Sequence, residues 1–133
     1  MIPEFDDNGY LPPGIHPAAL DEIAKGFGIE NELRQAEMES LRWLVDLAKR
    51  IGVLRIVVDG SFVTEAYEPN DVDCALLVKS DVNLNTEAGA EFGEGLPFIQ
   101  ASLLEQSAFD YYVGVLYASD RDEVPKGMVE VKL

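Results

Sequence analysis

A chain of 133 residues is long enough for one hydrophobic core and too short for two. Ten Lys and Arg against 25 Asp and Glu give a net charge of −15. A surface that acidic repels phosphate backbones over a Debye length of roughly 8 Å and argues against stable binding to long DNA or RNA in the absence of a local basic patch. There is no apolar run of the roughly 18 residues that a membrane span needs, and one cysteine, Cys74, allows neither an internal disulfide nor a zinc cluster. The opening Met1-Ile-Pro-Glu-Phe-Asp-Asp lacks the basic and apolar regions of a signal peptide, so a cytoplasmic protein is expected. Most of the charge reads as serving solubility, and beyond that a basic partner, or metal ions that neutralise a carboxylate cluster, fit it better than nucleic acid.

Residues 1–16 are rich in turn formers (Pro3, Asn8-Gly9, Pro12-Pro13-Gly14) and read as an extended arm pinned by Phe5, Tyr10, Leu11 and Ile15. Residues 17–133 form the domain. Pro17 opens a short helix that ends at Gly26 or Gly28, with Leu20, Ile23, Ala24 and Phe27 at helical spacing. A longer helix follows from about 30 to 50. Leu33, Ala36, Leu41, Leu44, Val45 and Ala48 line one face of it, Glu32, Glu39, Arg42 and Asp46 the other, and Gly52 closes it. The period then changes. Residues 54–58 predict a buried strand ending at Asp59-Gly60-Ser61, and residues 72–78 a second strand after the turn Glu68-Pro69-Asn70. Residues 80–95 read as a long polar loop, and 98–101 as a short strand. Helical spacing of Phe109, Tyr112, Val113 and Leu116 favours a helix there, and 128–133 closes the chain as a strand. This order predicts an α/β or α+β fold, a mixed sheet packed by helices, with the first two strands antiparallel.

Asp71 and Asp73 carry the chemistry. Residues two apart in a strand point to the same side, which sets these carboxylates together, and a cation between them offsets their repulsion. Magnesium suits such a pair, because it takes a few carboxylates and completes its shell with phosphate and water. Upstream, a strand runs into Gly60-Ser61. A glycine there lets a phosphate approach the backbone, while the serine hydroxyl and the following N–H groups can hold it. Other candidates have plainer readings: His16 as a helix-start residue, Cys74 as core, Trp43 and the tyrosines of 111–117 as packing, Lys126-Gly127 as a solvated turn.

Gly60-Ser61, nine residues, then Asp71-Val72-Asp73 is similar to the signature of the DNA polymerase β-like nucleotidyltransferase superfamily. The stretch from Phe5 to His16, with Asp59-Gly-Ser-Phe-Val-Thr, Pro69-Asn-Asp-Val-Asp and the tail around Asp120 and Pro125-Lys-Gly127, also resembles a bacterial family of uncharacterised nucleotidyltransferase-like proteins. The resemblance implies that Gly60 and Ser61 contact a nucleoside triphosphate and that Asp71 and Asp73 ligate Mg²⁺ or Mn²⁺. Active members of the superfamily have a third carboxylate on a neighbouring strand. Residues 98–101 carry Gln100 and no acid there, and Asp110 fills the role if its segment is a strand rather than a helix. Val63-Thr64 stands where a small residue and an arginine often follow the Gly-Ser pair.

Two functions follow as expectations. One is a minimal enzyme that moves a nucleoside monophosphate from a triphosphate to a protein or small-molecule acceptor, with a partner protein supplying what so short a chain lacks. The other is a non-catalytic relative acting as an antitoxin or regulator. In a third, structural reading, Asp73 is merely salt-bridged, with Arg55 as its partner.

Overall fold

Residues 2–133 are described by the computed structural model. Their elements run β1 (Gly14–Ala18), α1 (Leu20–Phe27), α2 (Glu32–Ile51), β2 (Arg55–Asp59), a 3₁₀ turn (Ser61–Val63) and β3 (Val72–Leu77). Then come α3 (Glu87–Glu94), β4 (Ile99–Leu104), α4 (Gln106–Tyr111) with a π turn (Tyr112–Leu116), and β5 (Gly127–Val131). The strands form one mixed sheet in the order β1-β5-β2-β3-β4. The β2 strand runs antiparallel to both neighbours, while β1 with β5 and β3 with β4 are parallel. The chain is therefore an α+β domain with a mixed sheet packed by helices, and its first two predicted strands are antiparallel neighbours.

Alternation along the central strands divides the core in two. Ile56, Val58, Val72, Cys74, Leu76, Val129 and Val131 pack in one cluster with Ile23, Phe27, Leu41, Leu44 and Ala48 of α1 and α2. Val57, Ala75, Leu77 and Met128 pack on the other side with Phe109 and Tyr117. Each fully buried Leu, Ile or Phe is worth about 1.5–3 kcal/mol, so the strands are held from both faces. Strand parity puts Asp59 and Asp73 on the α4 side of the sheet, beyond the apolar cluster.

Several expectations are corrected. Pro17 does not open a helix but lies in β1, paired in register with Glu130. An edge strand tolerates proline because only one of its sides is hydrogen-bonded to the sheet. The last residues of the predicted arm, from Gly14, thus belong to the sheet. His16 lies in the same strand, its Nε2 donating to Pro12 O at 2.6 Å. Earlier in the arm, Leu11 is fully buried and the Phe5 ring lies 6.0 Å from Phe27. The loop predicted over 80–95 contains α3, capped by Thr86, whose hydroxyl accepts from Gly89 N–H at 3.0 Å. Its two glycines hide the helical pattern in the sequence. The segment after β4 is helical, as its spacing favours. Trp43 is not packing but 54% exposed on the outer face of α2.

The first half of α2 departs most from its amphipathic reading. Arg34 and Glu37 are buried there, whereas Leu33 and Ala36 are only partly covered. The Arg34 guanidinium donates to Phe27 O (3.0 Å), Phe62 O (2.7 Å), Thr64 O (2.8 Å) and Ala66 O. It ties the end of α1 and the loop after β2 to α2, supplying donors to carbonyls that no strand or helix satisfies. Glu37 has no hydrogen-bond partner for either carboxylate oxygen. Burial pushes it up to about 7, with Arg34 opposing the shift and Asp71 adding to it.

Candidate functional site

The site begins where β2 runs out. Gly60 has φ 87° and ψ −178°, a conformation essentially confined to glycine. A Cβ there would lie 3.1 Å from both Asp71 Oδ1 and Asp73 N, and 3.2 Å from Asp71 O. Glycine is thus what lets the end of β2 lie against the start of β3.

Asp71 staples this junction. Its Oδ1 accepts from Ser61 N–H at 3.0 Å and from Ser61 Oγ–H at 2.7 Å, while Ser61 Oγ accepts from Asn70 N–H at 2.9 Å. Phe62 N–H donates to Asp71 O at 3.2 Å and Val63 N–H to Gly60 O at 3.3 Å. The donors that the sequence offers to a phosphate are therefore engaged within the protein. Thr64, in the position of the missing arginine, donates its hydroxyl to Ser61 O at 2.6 Å.

Asp73 is the second residue of β3, paired in register with Asp59 of β2 and with Gln100 of β4. Directly opposed residues of an antiparallel pair have Cα atoms about 4.5–5.5 Å apart. A third carboxylate thus lies beside Asp73, on β2 rather than on β4. Asp59 is 4% exposed and its Oδ1 forms an ion pair with Lys126 Nζ. Lys126 is not a solvated turn residue, for its side chain is only 12% exposed. Burial raises the Asp59 pKa, and Lys126 opposes the rise. For Asp73, burial pushes the carboxyl up to about 6, with Asp71 and Asp59 adding to it. Its Oδ1 is buried without a hydrogen-bond partner.

An orphaned carboxylate oxygen among like charges fits a divalent cation, and Asp71 and Asp73 are the residues that would hold one. Among the described residues no group of three or more His, Cys, Asp or Glu is arranged to enclose a metal ion.

Gly60, Ser61, Asp71 and Asp73 line an open pocket of about 1160 Å³. The arm contributes Asn8, Gly9 and Tyr10 to its wall, and Tyr10 OH donates to Asp120 Oδ2 at 2.7 Å across it. Six carboxylates line the pocket against Arg121 and Lys126, so a polyanion enters only in the company of cations. Asp110 is not among the lining residues. It lies exposed on α4, where its Oδ1 accepts from Gln106 Nε2 at 2.9 Å. Nor is Arg55 the partner of Asp73: it makes a two-point ion pair with Glu130 (2.9 and 2.6 Å) and lies 5.1 Å over the Phe109 ring. Cys74 is buried with its thiol pKa raised by burial, an inert core residue.

The sequence reads Asp59 only as the end of a strand and favours a solvated turn for Lys126, so neither is placed in the site by it. Strand parity links residues two apart, whereas Asp59 meets Asp73 only through the antiparallel register. The connection between the two strands was the available signal, because it places the end of one against the start of the next.

This geometry defines an α+β domain with an acidic pocket at the paired ends of its central strands. The sequence profile of DUF6932, a family of unknown function, matches residues 3–132, and the chain belongs to that family. No curated protein and no solved structure matches the chain. Among the described residues no helix is long and apolar enough to cross a membrane.

Proposed function

We propose that the pocket binds a nucleoside triphosphate with Mg²⁺ or Mn²⁺ and that the protein is a minimal nucleotidyltransferase of the DNA polymerase β-like kind. The observation that carries this reading is Asp73, whose buried Oδ1 has no partner while Asp71 and Asp59 crowd it. A divalent ion there would polarise the phosphoryl group and neutralise the charge developing on its oxygens. The chain's own residues would do the rest. Gly60 lets Asp71 and Asp73 lie close against the end of β2, and Ser61 would turn its hydroxyl from Asp71 to a phosphate oxygen when the carboxylate takes the metal. Lys126 adds a positive charge at the pocket floor, and the arm around Tyr10 walls off one side from water.

The acceptor would be a protein or a small molecule. The net charge of −15 favours a basic, toxin-like partner over any long nucleic acid. A cytoplasmic setting, where triphosphate and Mg²⁺ are plentiful, belongs to the same proposal.

A second reading is favoured by the bonds from Ser61 to Asp71, which occupy both the phosphate donor and a metal ligand. In it the chain is a non-catalytic relative, an antitoxin or regulator. Thermal unfolding with each of the four ribonucleoside triphosphates and Mg²⁺ tests both. Linkage predicts about 2.7 kcal/mol of stabilisation at a ligand concentration a hundred times the dissociation constant, and its loss when EDTA removes the metal. An α-³²P-labelled triphosphate then separates the two readings, since label transfer with pyrophosphate release marks the enzyme and binding without turnover the regulator. No metal-dependent stabilisation with any of the four contradicts the nucleotide site itself.

A further inference from the structure

Lys126 is held in place by backbone. Its N–H donates to Ala118 O at 3.0 Å, and Gly127 N–H donates to Leu11 O at 2.9 Å. Ser119 and Pro125 form a bridge just before it. No side chain could be added at Gly127, where a Cβ would meet Pro12 O at 2.1 Å. The backbone around Lys126 is thus clamped between the arm and the segment after the π turn. Its ammonium reaches the pocket floor and is paired there with Asp59.

Asp59 stands opposite Asp73, and Asp71 precedes it by two residues. Of these three carboxylates Asp59 is the one already engaged by a cation of the chain, Lys126 Nζ. The partner of Asp59 is an ammonium, a compact point charge with three donors.

We propose that Lys126 is a built-in cation of this site, which holds the Asp59 carboxylate in place of a second metal ion and leaves Asp71 and Asp73 to take a single divalent ion. The proposal rests on the metal–triphosphate reading and goes beyond it. Charge supports it: three carboxylates and one ammonium leave two negative charges, which one divalent ion neutralises. The ammonium also keeps donors for a phosphate oxygen that enters with the metal.

The test is the count of Mn²⁺ bound by the full chain, followed by loss of the free-ion electron paramagnetic resonance signal. The wild type is expected to bind one Mn²⁺ per chain. Lys126→Met, which keeps the length and removes the charge, is expected to bind two. Adding Asp59→Asn to Lys126→Met should return the count to one, because the second ion loses its carboxylate. Circular dichroism checks that each variant folds, and Lys126→Gln, which removes the charge but keeps a donor for Asp59 and is likewise expected to bind two, stands in where Lys126→Met does not fold. Two ions in the wild type, or one in a folded Lys126→Met, overturn this inference and leave the nucleotide site standing. A double variant that binds none overturns it as well, since Asp59 would then be a ligand of the one metal. No bound Mn²⁺ in any of these proteins removes the metal site and this inference together.

Discussion

Arg34→Ala is expected to destabilise the protein by about 3–5 kcal/mol, the cost of breaking a buried charged contact and leaving its partners behind. Phe27 O, Phe62 O, Thr64 O and Ala66 O lose their donor together, and the buried Glu37 loses the positive charge that opposes its upward shift. The effect reaches the pocket, because three of those carbonyls belong to the loop that follows Gly60. Glu37→Gln added to Arg34→Ala should restore part of the loss above pH 7 and little of it below. Glu37 is raised from 4.5 to about 7 in the folded protein, so its proton is bound more tightly there than in the unfolded chain. Its contribution is favourable below about pH 4.5 and is lost as the pH rises through about 7. Urea denaturation at pH 5 and pH 8 measures both effects. Equal stability of Arg34→Ala and wild type would mean that the loop carbonyls are satisfied by water.

Asp73→Asn should separate the cost of the site from its use. Without metal at pH 8 the variant is expected to be more stable than wild type by about 1–2 kcal/mol, a value discounted for the partial exposure of the group. Asp73 is raised from 3.8 to about 6 by burial and by Asp71 and Asp59. Its favourable contribution is therefore present below about pH 4 and lost as the pH rises through about 6, and at pH 4 the two proteins should be equally stable. With Mg²⁺ and triphosphate the order reverses: the wild type gains the linkage stabilisation and the variant does not. Nucleotidyl transfer should fall by about a hundredfold or more, since even outer partners of metal ligands cost ten- to a hundredfold in affinity or activity. A variant stabilised by nucleotide as strongly as wild type would show that Asp73 is no ligand.

The elements that were legible are those in which local and tertiary preferences agree. The runs within Arg55–Asp59 and Val72–Leu77 are apolar because helices cover both faces of the central sheet. Gly52, at φ 97°, closes α2 as a left-handed cap, which its place after Lys49 and Arg50 announces. Gly60 with Ser61, and Asp71 with Asp73, were visible because each pair is local in sequence. Asp59 and Lys126 were not, since they meet each other and Asp73 through strand pairing and a return of the chain 67 residues later. Arg34 and Glu37 were hidden for another reason. Charged residues at helical spacing read as a solvated face, and only the carbonyls brought from α1 and the loop after β2 make burial of the guanidinium favourable. Pro17 was misread because proline suits the first turn of a helix as well as an edge strand.

The proposed site puts a metal-bound triphosphate beside Ser61, Asp71 and Asp73. A crystal structure of the protein with Mn²⁺ and a non-hydrolysable triphosphate analogue tests it most directly. Expected are an anomalous Mn²⁺ peak at Asp71 and Asp73, the Ser61 hydroxyl turned to a phosphate oxygen, and Lys126 still on Asp59. Crystals grown at saturating analogue with no Mn²⁺ peak at Asp71 and Asp73, and with Ser61 still bonded to Asp71, would contradict it.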